Sequence, residues 1–323
     1  VKCVVDHYSQ LGSTVNLCLL DLKKAFDKMN HYGLYIKLMN RLVPNALLCV
    51  LEYWFDSCMT CVRWGNDVSN FIALECGVRQ GGVLSPYLCV IFIDDSIEEV
   101  KKSELGCKLK HENVGIFIYA DDIILLAPTV QSLQGMLQVC ERELAWLDMS
   151  LNTKKSLCMR FGPRYNAKCH DICTANGDCL SWVNSCRYLG VYLCASSYFK
   201  CSFSYAKKSF YRSFNSIFGK IGRIASEEVI LHLVNMKCVP ALLYGLDACP
   251  INISDKRSFD FVFTRVLMKL FKTSSIIIID ECYEMFNLKH MSQLISERKC
   301  RFLGNFHKGN ELCNLIVSNT SDV

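Results

Sequence analysis

Three aspartates carry the clearest chemistry in the sequence. Asp121 and Asp122 stand side by side within FIYADDIILLA (117–127), a run otherwise of Phe, Tyr, Ile, Leu and Ala, and Asp21 closes the apolar stretch NLCLLD (16–21). Ionised carboxylates are costly in such surroundings unless a partner neutralises them. Two adjacent ones repel, and one is driven toward protonation unless a cation sits between them. A third carboxylate on a neighbouring strand completes a set of hard oxygen ligands of the kind Mg²⁺ takes. Two ions held ~3.5–4 Å apart by such a set activate one oxygen and stabilise another in an in-line phosphoryl transfer. The plainer alternative, an acidic turn on a solvent-facing hairpin, stands beside this reading on the stretch alone.

The elements around the aspartates have legible patterns. NLCLLDLKKAF (16–26) is strand-like up to Asp21 and then changes character. Residues 33–56 read as helix broken near Pro44, and 58–78 as a hairpin turning at Gly65-Asn66-Asp67. RQGGVLSP (79–86) leads into an apolar helix reaching about Val100. FIYADDIILLA divides into two short strands meeting at Ala120-Asp121. Leu133, Leu137, Cys140, Leu144 and Leu147 then share one helical face. Strand, helix, strand-turn-strand, helix, strand is an α+β order, an antiparallel sheet packed on helices. Beyond Gly190 the pattern is mostly helical, with Phe210, Phe214, Ile217 and Ile221 on one stripe and Lys208, Arg212 and Arg223 on another. The boundary falls near 194–202, dividing the chain into 1–195 and 196–323.

Composition narrows the classes. The 323 residues are 51% hydrophobic, enough for a large core, with no run of the ~18–20 apolar residues that spans a bilayer. The net charge of +5 conceals an asymmetry, −5 over residues 1–150 and +10 over 151–323, which fits cations on one side and a polyanion on the other. The 21 cysteines are scattered, odd in number and mostly in apolar surroundings, as reduced core thiols are. The opening VKCVVDHYSQ has neither an initiator Met nor a leader pattern, the expectation for an intracellular chain or a piece of a longer one. Three features are set aside. Asp94 and Asp95 of FIDDSIEEV belong on a helix surface. Cys58 and Cys61 sit in a strand without a second pair. Cys169-His170 with Cys173 and Cys179 is too irregular for a zinc site.

Taken in order, LLDLKKAF (19–26), RQGGVLSP (79–86), YADD (119–122), LNTKKS (151–156) and RYLGVYL (187–193) resemble the five successive motifs of reverse transcriptases. The LINE-type (non-LTR retrotransposon) branch is most similar, through KAFD, RQGGVLSP and the later PALLYG (240–245). The resemblance implies a polymerase palm with residual fingers over 1–195 and a helical thumb with a C-terminal helical region over 196–323. It implies two Mg²⁺ ions, with Mn²⁺ as a substitute, on Asp21, the Leu22 carbonyl, Asp121 and Asp122. Phe26 would exclude a ribose 2′-hydroxyl, and Gln80, Gly81 and Tyr119 would border the nucleotide and templating pair. Paired glycines also let backbone approach a nucleotide closely, although a tight turn into a helix uses them equally. Lys155 would protonate the leaving pyrophosphate, with Lys154 as the alternative. Tyr188, Leu189 and Gly190 would form the primer grip, and Lys207, Lys208, Arg212, Lys220 and Arg223 would meet duplex phosphates.

The implied partners are an RNA template, a DNA primer and deoxynucleoside triphosphates. The implied settings are the nucleus and a cytoplasmic RNA–protein particle. About 20 residues precede Asp21, fewer than the fingers of the family, and neither endonuclease nor ribonuclease H patterns are recognisable. An N-terminally truncated, catalytically silent remnant that only binds nucleic acid therefore stands as the rival expectation, beside a maturase or a viral RNA-copying enzyme.

Overall fold

A computed structural model describes residues 1–222 and 224–306. They divide into two compact units, one of residues 3–184 with 196–198, the other of 185–195 with 199–306. By contacts, residues 185–195 group with the second unit, one hairpin upstream of the boundary expected near 194–202.

The first unit opens with helix α1 (Lys2–Gln10) and strand β1 (Val15–Asp21). Helices α2 (His31–Asn40), α3 (Asn45–Asp56) and α4 (Ser85–Lys102) follow, then β2 (Ile116–Tyr119), β3 (Asp122–Ala127) and α5 (Val130–Trp146). Strands β4 (Leu157–Phe161), β5 (Ile172–Cys173) and β6 (Cys179–Trp182) complete a six-stranded sheet in the order β5-β6-β4-β1-β3-β2. All its pairings are antiparallel except β4 with β6. β1 lies in the interior of the sheet, and Val15 through Leu20 are all buried, as a strand covered on both faces requires. The stripe Leu133, Leu137, Cys140 and Leu144 is buried in the same core as Cys18, Leu20 and Leu125.

The local punctuation follows the sequence. Thr129 caps α5 by accepting from the Ser132 amide, and Pro44 separates α2 from α3. The hairpin expected over 58–78 is present as two exposed two-residue pairs turning at Gly65-Asn66. Cys58 and Cys61 lie beside those short strands, half-buried rather than in a core, because two residues of ladder enclose nothing.

The second unit begins with a three-stranded sheet, β7 (Ser185–Tyr188), β8 (Val191–Cys194) and β9 (Lys200–Ser202). It continues as helices α6 (Ser204–Ile221), α7 (Glu227–Leu233), α8 (Ile253–Leu270), α9 (Ile276–Met285) and α10 (Met291–Phe306). Phe210, Phe214, Phe259 and Phe263 are its largest fully buried side chains. Among the described residues, no helix is long and apolar enough to cross a membrane.

Candidate functional site

Register brings the aspartates together. Asp21, the last residue of β1, lies directly opposite Asp122, the first of β3, so both side chains leave the same face of the sheet. Tyr119 pairs with Asp122 across the β2–β3 hairpin, leaving Ala120-Asp121 as its two-residue loop. Ala120 takes φ +54°, the sign a II′ hairpin turn needs at its first loop position. The turn that connects the strands therefore also carries the third carboxylate. Tyr119 is 62% exposed beside it.

The segment after α5 closes the other side. The Asn152 amide nitrogen donates to the Asp21 carbonyl at 2.8 Å, the Lys23 amide donates to Ser150 O at 2.9 Å, and Leu22 bridges Leu151. The buried Ser156 hydroxyl accepts the Asp21 amide at 3.1 Å. The Asn152 side-chain amide donates to Asp21 Oδ2 at 3.0 Å, and Lys155 Nζ stands 3.7 Å from the same oxygen. Of the two adjacent lysines it is Lys155 that faces the carboxylate. Sequence reasoning did not single out Asn152 and Ser156, yet both lie within LNTKKS, and a polar run soon after the α5 stripe was the available signal.

The electrostatics match this geometry. Burial first, then the charges of Asp121 and Asp21, raise the Asp122 carboxyl above its ordinary value, with Lys155 opposing them. Below the loop, burial pushes the Cys89 thiol on α4 up to about 11, and the Asp121 charge adds to it. Among the described residues, no three His, Cys, Asp or Glu groups converge closely enough to hold one metal ion as they stand. Asp21, Asp121 and Asp122 thus form no closed ligand cluster as they stand, and Asp21 Oδ2 faces Asn152 and Lys155. The donor chemistry nevertheless fits a hard divalent cation: three carboxylates, mutually repelling, with one partial counter-charge.

The residues leading into RQGGVLSP are docked on the residues that follow β1. Val78 N donates to Phe26 O and Gly77 N to Met29 O, each at 2.7 Å. Gly77 has φ +85°, and a Cβ there would stand 2.7 Å from Asp27 O. The His31 ring, stacked on Phe55 at 4.3 Å, shares a 2.7 Å hydrogen bond with Gly77 O. Gln80 Nε2 donates to Asp27 Oδ1 at 3.4 Å, and Gly81 takes φ +82° with open space around it. Phe26 is partly buried against the core, and the Leu22 side chain is buried.

In the second unit, Leu189 (φ +44°) and Gly190 (φ +83°) form the two-residue turn between β7 and β8, with Tyr188 paired to Val191. Positive φ at both positions is the I′ geometry that matches strand twist. A Cβ on Gly190 would stand 2.7 Å from Tyr244 Cε1, so PALLYG packs against this hairpin. Lys208, Arg212 and Lys220 are exposed on α6. Lys207 is engaged within the unit, its Nζ donating to Ser258 Oγ at 2.6 Å and lying over the Phe259 ring. Arg223 lies outside the described residues.

The features set aside resolve structurally. Asp94 pairs with Arg41 at 2.6 Å and Asp95 with the buried Lys37 at 2.8 Å, tying α4 to α2. Cys173 and Cys179, opposite each other across β5–β6, are joined in a disulfide, a departure from the expected reduced thiols.

Comparison with known proteins agrees with the motif order. Residues 2–193 match the model of the family described as reverse transcriptase (RNA-dependent DNA polymerase). The RNA-directed DNA polymerase from mobile element jockey of Drosophila funebris is 28% identical over 249 residues, 71% of this chain and 25% of that protein. The Pol polyprotein from type-2 retrotransposable element R2DM of Drosophila melanogaster is 23% identical over 62% of this chain and 20% of its own length. The chain thus spans a quarter or less of these relatives. The apo telomerase of Candida tropicalis has the same fold, with TM-score 0.51 and 13% identity over 92% of this chain and 48% of that one. The fold is therefore that of a palm-and-thumb polymerase, and the chain belongs to the reverse transcriptase family as a LINE-type (non-LTR retrotransposon) domain.

Proposed function

We propose that this domain adds deoxynucleotides to a DNA 3′ end on an RNA template, using divalent metal ions held by Asp21, Asp121 and Asp122 and the Leu22 carbonyl. The observation that carries the reading is the pairing of Asp21 with Asp122 across β1 and β3, with Asp121 in the adjoining loop and Lys155 3.7 Å from Asp21. Reverse transcriptases generally use divalent ions, and two Mg²⁺ (or Mn²⁺) would activate the attacking hydroxyl and stabilise the leaving pyrophosphate.

The chain's own residues supply the rest. The three carboxylates bind and orient, and Lys155 holds the proton that the leaving group takes up. Phe26 borders the deoxyribose, while Gln80 and Gly81 line the nucleotide with Tyr119. The Tyr188-Leu189-Gly190 turn supports the primer, and Lys208 and Arg212 neutralise duplex phosphates. The setting would be a cytoplasmic RNA–protein particle and the nucleus.

Extension of labelled oligo(dT) on poly(rA) with dTTP and Mg²⁺, beside Asp121→Asn, tests the reading. Metal-dependent extension that the substitution abolishes supports it. Folded protein that binds the duplex and adds no nucleotide favours the silent remnant instead.

A further inference from the structure

The opposite end of β1 carries a second constellation that polymerase chemistry does not use. Residues 160–170, RFGPRYNAKCH, hold Arg160, Arg164 and Lys168 and no acid. Arg160 pairs in register with Asn16, five residues before Asp21, so the two ends lie roughly 17 Å apart along the strand.

The loop after Arg160 is built rather than loose. Arg160 Nη1 donates to Ala167 O at 2.7 Å and to Arg164 O at 3.3 Å, fixing the loop from beneath. Its Nε donates to Asn16 Oδ1 at 2.9 Å, and its guanidinium lies 5.3 Å from the Trp182 ring centre. Arg164 N donates to Thr14 Oγ1 and Tyr165 N to Gly162 O. The Trp182 indole N–H is tied to His170 O, which sets the ring's orientation.

Between this loop and β6 lies a cavity of about 310 Å³ lined by Arg160, Tyr165, Asn166, Lys168, Trp182 and Asn184. The Arg164 and Lys168 side chains are exposed, with no acceptor among the described residues. Two aromatic rings for a base, two side-chain amides for its edge and the Lys168 ammonium for its phosphate line the cavity as one complementary set, with the exposed Arg164 in the same loop. The volume is at the small end of ligand pockets, suited to a single residue of a chain rather than a folded partner.

We propose that this cavity holds one unpaired nucleotide of a single-stranded polynucleotide, anchoring the strand away from the carboxylates. The choice of a polynucleotide rests on the polymerase reading above. Recognition of one splayed nucleotide does not depend on a metal or a primer.

The test is binding of the decamers rU₁₀ and dT₁₀ by fluorescence anisotropy, with a chelator present and without primer or triphosphates. Bromouridine decamers mark the contact by photocrosslinking. Tyr165→Ala and Lys168→Ala change exposed side chains and are expected to weaken binding about fivefold or more at unchanged melting temperature. Crosslinks are expected in the peptides containing Tyr165 and Trp182. Preference for rU₁₀ identifies RNA as the source, and equal affinity identifies any single strand. Unchanged affinity in both variants, or crosslinks confined to other peptides, overturns the proposal. A chain that extends no primer yet loses decamer binding in these variants refutes the polymerase reading and keeps this one.

Discussion

The two ends of β1 treat buried polarity in opposite ways. At the Asn16 end the buried side chain is fully matched: the Asn16 amide donates to Ala127 O and Pro128 O, and its oxygen accepts Arg160 Nε. At the Asp21 end Asp21 faces Asp122, with Asp121 in the adjoining loop, and Lys155 opposes their charge at 3.7 Å from Asp21, itself 69% exposed. A strand buried on both faces tolerates the first arrangement because it is satisfied internally. The second leaves an excess of negative charge that an outside cation can meet. One end is satisfied within the sheet, and the other carries like charges at a cost in stability.

The contrast is sharpest in substitution. Asp21→Asn is expected to lower primer extension by about a thousandfold, the equivalent of several kcal/mol of lost transition-state stabilisation, without lowering the urea midpoint. Lys155→Ala is expected to lower the single-turnover rate by about a hundredfold, with Lys154→Ala close to wild type; equal losses would dissolve the distinction between them. Asn16→Leu should do the reverse, destabilising by about 2–3 kcal/mol in denaturant titration because it strands Arg160 and two carbonyls, while specific activity of the folded protein is kept. Gly77→Ala, with its Cβ driven into Asp27 O from a positive φ, is expected to cost about 1–3 kcal/mol and to raise KM for the deoxynucleotide.

The smallest effect is the most diagnostic. Asp122 binds its proton more tightly in the folded chain than in the unfolded one, chiefly through burial. Its contribution to stability is complete below the ordinary aspartate value and is lost as the pH rises through the raised one. Asp122→Asn should therefore melt slightly above wild type at neutral pH, with the difference vanishing in acid. Millimolar Mg²⁺ should raise the melting temperature of wild type and leave the variant unmoved. A Mg²⁺ shift that survives the substitution would remove Asp122 from the ligand set.

Much of the frame was legible because its signals are local. The break at Pro44, the α5 stripe and the hairpin inside FIYADDIILLA follow from periodicity and turn chemistry over a few residues. The grouping of the hairpin at 185–195 with the second unit has an equally physical reason. The hairpin's partner is Tyr244, more than fifty residues downstream, and contact across that separation leaves no local trace. Lys207 likewise looked like its neighbour Lys208, since one step along a helix rotates a side chain by about 100° and only packing decides which faces Ser258.

The sequence by itself determined the residue types, their order and the alternation that makes β1, β2 and β3 strands. It also determined membership in a polymerase family, since five motifs in succession leave little freedom. The tertiary structure alone decided register, and register decides the site: pairing Asp21 with Asp122 joins carboxylates a hundred residues apart, and a slip of one residue would send them to opposite faces. It also decided that Asn152 and Lys155 turn toward Asp21 and that Arg160 turns toward Asn16. Such choices depend on the balance of burial and hydrogen bonding between distant segments, which appears only when the chain has closed on itself.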